Sequence, residues 1–407
     1  MTDSQNTFWP QSGDYVLDHV GELGFDVAWL LLQEARRFGS LDLNLPEDFM
    51  YSVVTKACFW SELPDLSFHL LTSFNCSTFP ACMERGNWVP ATHNNGAVDR
   101  ADFWFWDAVH DKAPRLTSLI TDRLYNTHLL PYHQLTTLKI TRLNAIDWQH
   151  LLLTLSISPC LRSLSILECY DPLDGEVFRP VVSTSLQHLS IEIWPVLRNL
   201  PAMFAFLHLP SLRSLQFRML GSTHANEPFP CALPPSWPCR PLLAILGSCS
   251  ASLSQLSVKS EDYTISSEAM GRVLLGVPNL EFLEVNLIGT AQKIFVGEFV
   301  ARLTPRDDRA PGESVMVPKL RKLFVHEAQA GLRGSPFVPV AESIVRMAEA
   351  RLRGESAVPL HTVCLSHGCE RYTWDGPENL VEELGAPLVG RLEILEATGT
   401  LCRVEWL

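Results

Sequence analysis

One phrase recurs along this chain: proline, any residue, leucine, two residues, leucine, one residue, then an aliphatic or aromatic side chain. Pro159-Cys160-Leu161-Arg162-Ser163-Leu164-Ser165-Ile166 is one copy. Others begin at Pro210, Pro278 and Pro318, proline-free copies at Leu135, Leu186 and Leu253, and weaker copies at Leu116 and Leu360. A phrase that returns in order is the signature of a repeat architecture, in which small units stack and none buries its apolar side alone.

The leading leucines stand at 116, 135, 161, 186, 212, 253, 280, 320 and 360, in steps of 19, 26, 25, 26, 41, 27, 40 and 40 residues. Four steps of 25 to 27 fall inside the range of leucine-rich repeats. The three long steps read as one repeat plus an insertion. The first insertion, near 222–241, is too rich in proline for a sheet or a helix and is expected to loop out. The second, near 304–316, holds Pro305, Arg306, Asp307, Asp308, Arg309 and Pro311 and reads as a solvated loop.

Within a unit the pattern changes period. Leu256 and Val258 alternate with Gln255, Ser257 and Lys259, a short strand with one buried face. Ser266 and Ser267 are candidate N-caps, Glu268 sits where the helix dipole favours an acid, and Met270, Val273 and Leu274 follow at helical spacing. Gly276 and Pro278 end that helix. Trp148, Leu151, Leu152 and Leu155 form a second apolar stripe, and Val338, Ile344, Val345, Met347 and Ala348 a third. A short helix over Leu380, Val381 and Leu384 is expected to close at Gly385. The fold class is therefore α/β: a curved leucine-rich-repeat solenoid with parallel strands on the concave face and helices on the convex face. Residues 1–34 are expected to form an N-terminal helical cap, and residues 35–407 the solenoid. Residues 44–112 carry no clean phrase. Phe103-Trp104-Phe105-Trp106 within them reads as packing between helices.

Composition narrows the function. The net charge of −13 argues against a nucleic-acid footprint. Residues 1–13 lack the basic and apolar regions of a secretory leader, and no apolar run is long enough to span a bilayer, so the expected setting is the cytoplasm or nucleus. The eleven cysteines form no CxxC pair, which suits reduced thiols. His361, Cys364, His367 and Cys369 have zinc-like spacing, but strand alternation puts Cys364 on the opposite face from His361 and His367, so no metal is expected. Cys169, three residues past Ile166, reads as a structural turn cysteine. Hydrolase elbow, phosphate-loop, dinucleotide and zinc-protease motifs do not occur, so neither an enzyme nor a cofactor is expected.

From Leu116 onward the chain resembles the repeat portion of fungal F-box and leucine-rich-repeat proteins. The phrases at Leu135, Leu161, Leu186, Leu212, Leu253, Leu280 and Leu320 carry the likeness, with Arg36 to Leu45 as an early strand. Leu45-Pro46-Glu47-Asp48-Phe49-Met50 resembles an F-box opening, although no basic-tryptophan segment follows at the matching distance. The resemblance implies a substrate receptor of an SCF-type ubiquitin ligase, docking on the cullin-ligase adaptor and holding a protein on its repeats. A stand-alone scaffold with no ubiquitin link is the alternative.

Alternation also locates the candidate binding face. Residues beside the inward positions include His188, Glu192, Gln216, Arg218, Lys259, Phe282, Glu284, Lys322, Phe324 and His326. Phe282 and Phe324 break an otherwise polar set on consecutive phrases. They are the expected anchors for a protein partner, flanked by Arg218, Lys259, Glu284 and His326. The other reading of the two rings is a loop from residues 287–316 folded back over them.

Overall fold

The computed structural model describes residues 34–46, 67–79, 109–121, 124, 130–143, 147–170, 172, 178–193, 203–220, 239–260, 267–288, 299–305, 316–328, 337–354, 357–368 and 385–406. The N-terminal cap, the aromatic run at 103–106 and the helix expected over Leu380–Leu384 lie outside these residues. So do residues 221–238 and 306–315 of the two insertions. The chain divides into compact units at 1–138 and 139–407.

In the first unit β1 (Ser40–Pro46), β2 (Ser73–Phe79) and β3 (Ser118–Thr121) pair in parallel, in that order. A short strand, β4 (Thr137–Ile140), begins at the end of this unit. Parallel pairing cannot be closed by a hairpin, so each strand is followed by a long return. Phe74, Leu119 and Leu138 are buried at inward strand positions, and Leu71, Leu116 and Leu135 are buried two residues before their strands begin.

The second unit combines strands and helices. α1 (Asp147–Ile157) leads to β5 (Ser163–Cys169), β6 (Val181–Val182), β7 (His188–Ile193), β8 (Leu207–His208) and β9 (Ser214–Met219). α2 (Cys239–Cys249), β10 (Gln255–Ser260), α3 (Ser267–Leu275), β11 (Phe282–Ile288) and β12 (Lys322–Ala328) follow. The unit closes with α4 (Phe337–Arg353), β13 (Thr362–Gly368), α5 (Ala386–Ala397) and β14 (Leu401–Trp406). The main sheet runs β5-β7-β9-β10-β11-β12-β13-β14, and β6 pairs with β8 beside it. The result is a mixed α/β fold built on a parallel sheet.

Register follows the phrase. Leu164, Leu189, Leu215, Leu256, Leu283, Leu323 and Val363 are cross-strand neighbours. Ile166, Ile191, Phe217, Val258, Val285 and Val325 form the next row. All are buried, so the inward ladder read from the sequence is one continuous core. The leading leucines share a turn: the amides of Leu161, Leu212, Leu280 and Leu320 donate to the carbonyl three residues back. The carbonyl of the residue after each leading leucine then accepts two amides of the next phrase. Arg162 receives Gln187 and His188, Arg213 receives Ser254 and Gln255, and Glu281 receives Arg321 and Lys322.

The helices bury the expected stripes. Trp148, Leu151, Leu152 and Leu155 of α1 are buried, and the Trp148 indole donates to the Tyr170 carbonyl at 2.8 Å. α3 ends at Leu275 before Gly276, as its stop signals indicate.

One sequence expectation changes. The loop expected through residue 241 gives way to α2 at Cys239, which places Pro241 in the first turn, where a missing N–H costs no helical bond. A further helix, α5, was not read from the sequence: Gly385 stands at φ +80° just before it, with Pro387 in its first turn.

Candidate functional site

The sheet face opposite the core carries three cross-strand rows across β9 to β12. Ser214, Gln255, Phe282 and Lys322 form the first, Gln216, Ser257, Glu284 and Phe324 the second, and Arg218, Lys259, Asn286 and His326 the third. Parallel register thus brings five of the expected site residues together, at Lys259, Phe282, Glu284, Phe324 and His326. Arg218 stands one strand away, beside Lys259.

Phe282 and Phe324 touch diagonally, with ring centroids 5.2 Å apart and planes at 41°. The Phe324 ring also lies 6.3 Å from the His326 ring. Neither phenylalanine is fully exposed; both are half-buried. Ser257 and Cys364 on the same face are buried, whereas His188, Gln216, Gln255 and Lys322 are exposed.

Glu284 is the electrostatic centre. Ser257 Oγ donates to its Oε2 at 2.6 Å, and Lys259 Nζ lies 3.1 Å and His326 Nε2 3.3 Å from its Oε1. Its side chain is only 17% exposed. The hydrogen bond from His326, with those from Ser257 and Lys259, outweighs the cost of burial and holds the carboxyl down at about 2. Arg218 donates to Glu192 at 3.2 Å, so the charges in the second and third rows at Glu284, Lys259, His326 and Arg218 are internally matched. Sequence reasoning placed Glu284, Lys259 and His326 on this face but passed over Ser257, a residue type too common on strands to stand out.

Serine, histidine and glutamate side by side invite comparison with a nucleophilic triad. The order of contacts is wrong for one. A triad needs the imidazole between hydroxyl and acid, so that it removes the hydroxyl proton. Here the carboxylate takes the bond from Ser257, and His326 bonds the same carboxylate. A carboxyl held at about 2 is too weak a base to activate Ser257.

The remaining candidates are also placed. Cys169 is fully buried in β5, where burial, followed by the charge of Glu192, pushes its thiol well above the usual range, so it is not poised as a nucleophile. Cys364 is buried and His361 exposed, while the side chains of His367 and Cys369 lie outside the described residues. Among the described residues no group of three or more His, Cys, Asp or Glu side chains is placed to hold a metal ion. No helix among them is long and apolar enough to cross a membrane. Leu45 and Pro46 are the last residues of β1, paired with Thr78 and Phe79. No protein-family model matches the chain, and no curated protein matches it.

Proposed function

We propose that this chain recognises another protein, as a leucine-rich-repeat module whose curved sheet offers the Phe282–Phe324 patch on its concave side and carries its helices on the convex side. The recurring carbonyl step, the inward ladder and the sequential order of the parallel strands support the repeat reading. One observation carries the binding reading: two phenylalanines in contact on the face away from the core, framed by charges that already satisfy one another. Aromatic area is the usual anchor of an interface, and a matched polar frame loses less when water leaves it. The half-buried rings leave room for a partner to complete their burial.

The F-box resemblance gives this recognition a role: a substrate receptor of an SCF-type ubiquitin ligase in the cytoplasm or nucleus. The stand-alone scaffold keeps a place because Leu45 and Pro46, which open the F-box-like segment, form part of a paired strand. Mixing the purified full chain with the cullin-ligase adaptor separates the two, since only the receptor forms a complex. The patch is tested by pull-down from cell extract with Phe282→Ala and Phe324→Ala proteins that melt like the parent. Partners should be lost with either change; recovery of every parental partner would remove this patch as the binding site.

A further inference from the structure

The charges in the middle of the strand face are matched, but those at the strand entrance are not. Because each phrase passes its carbonyl to the next, Arg162, Gln187, Arg213, Ser254, Glu281 and Arg321 occupy one row. Its three arginines are exposed, and among the described residues none of them takes part in an ion pair. Lys322, directly beside Phe282 in register, is likewise exposed and unpaired. Glu281 is the one acid in this row. In a chain of net charge −13, a rim that carries three arginines and a lysine with no ion-pair partner among the described residues, Arg321 and Lys322 next to the aromatic patch, is a local reversal of sign.

We propose that the partner is an acidic protein segment with an apolar or aromatic side chain. This rests on the reading that the strand face binds protein, and it adds the partner's chemistry. The apolar side chain seats against Phe282 and Phe324, and the segment's carboxylates meet Lys322, Arg321 and Arg213. A basic segment would approach uncompensated cations and find Glu192 and Glu284 already bonded. Geometry sets the spacing as well. Arg213 and Arg321 stand three strand steps apart, ~14 Å at ~4.8 Å per step, which an extended chain covers in about four residues. Acids at i and i+4 would therefore reach both arginines from one side of the segment, with the aromatic residue between them on that same side.

The test is fluorescence anisotropy of the full chain with three labelled peptides of about ten residues that share a central tryptophan and differ in net charge: acidic, neutral and basic. A single-stranded oligothymidylate of similar length is the fourth probe. The acidic peptide should bind at least ~10-fold more tightly than the basic one, and added salt should narrow the gap. The double change Arg321→Glu with Lys322→Glu should abolish that preference while leaving thermal unfolding unchanged. Equal binding of all three peptides, no peptide binding, or tighter binding of the oligonucleotide would each overturn the inference. Charge-independent binding that Phe282→Ala removes would overturn the acidic preference alone and leave protein recognition standing. Binding of every peptide with no response to Phe282→Ala would overturn both.

Discussion

Two ionised side chains in the second unit show what burial does to a charge. Glu284 is held down at about 2 by three donors from the two flanking strands, so its charged form is favoured in the folded chain relative to the unfolded one. The contribution is complete above an unfolded pKa of ~4.3 and is lost as pH falls towards 2; from the shift it amounts to roughly 3 kcal/mol. Urea unfolding at a series of pH values should show the parent losing stability between about pH 5 and pH 2, and Glu284→Gln losing less over that window. Parallel pH curves for the two proteins would assign the network no role. Arg351 is the opposite case. It is fully buried, burial lowers its pKa to about 10, and its Nε and Nη1 have no partner. Its Nη2 donates to the carbonyls of Leu303, Met316 and Val317, each at 3.3 Å. Val317 stands at φ +44°, a costly conformation for a β-branched residue, and its carbonyl also takes the Leu320 amide. Arg351→Ala leaves these carbonyls without their donor and opens a void, at an expected cost of about 3–5 kcal/mol in urea unfolding, with Arg351→Met costing less. An alanine variant within about 1 kcal/mol of the parent would show that the clamp contributes little.

At the scale of elements, burial separates contacts that matter from contacts that only look strong. Leu283 lies in the middle of the inward ladder, and Leu283→Ala should cost ~2–5 kcal/mol. Arg391 of α5 holds Glu349 of α4 with two bonds of 2.8 Å, and this pairing raises the arginine's pKa and lowers the acid's. Both side chains are 29% exposed, so Arg391→Ala should cost no more than about 1 kcal/mol despite the better geometry. Thermal melts of the two variants side by side check the order. The same contrast explains what was legible in the sequence. Strands β5, β7 and β9 to β13 were readable because each carries a leading leucine and two inward residues, whereas the two-residue strands β6 and β8 carry no phrase. The last strand, β14, was missed because no leucine leads it: Gly399 stands two residues before Leu401, where Leu360 stands before Thr362, and the adjacent Thr400 is buried with its hydroxyl donating to the Leu360 carbonyl at 2.8 Å. β2 was hidden in the same way, since Phe74 stands where the phrase has its second leucine. Alternation placed Phe282, Glu284 and Phe324 together on the sheet face opposite the core. The bond from Ser257 to Glu284 depended on two side chains meeting across neighbouring strands, which alternation within one strand does not specify.

For the molecule as a whole, the parallel sheet gives interior strands two partners and the last strand one. Hydrogen–deuterium exchange should therefore be slowest in peptides covering β9 to β11 and faster in β14, since local opening starts where fewer neighbours must separate. Equal protection of β10 and β14 would mean that the unit opens only as one piece. The parallel order also bears on synthesis. Gln255 pairs with Ser214, Phe282 with Gln255, Lys322 with Phe282 and Thr362 with Lys322, so each rung joins residues 41, 27, 40 and 40 positions apart. At about 5–20 residues per second a ribosome takes roughly 2–8 s to deliver forty residues. The newest strand on the nascent chain thus spends seconds with its outer edge unsatisfied, and a chaperone that shields one strand edge at a time matches that schedule.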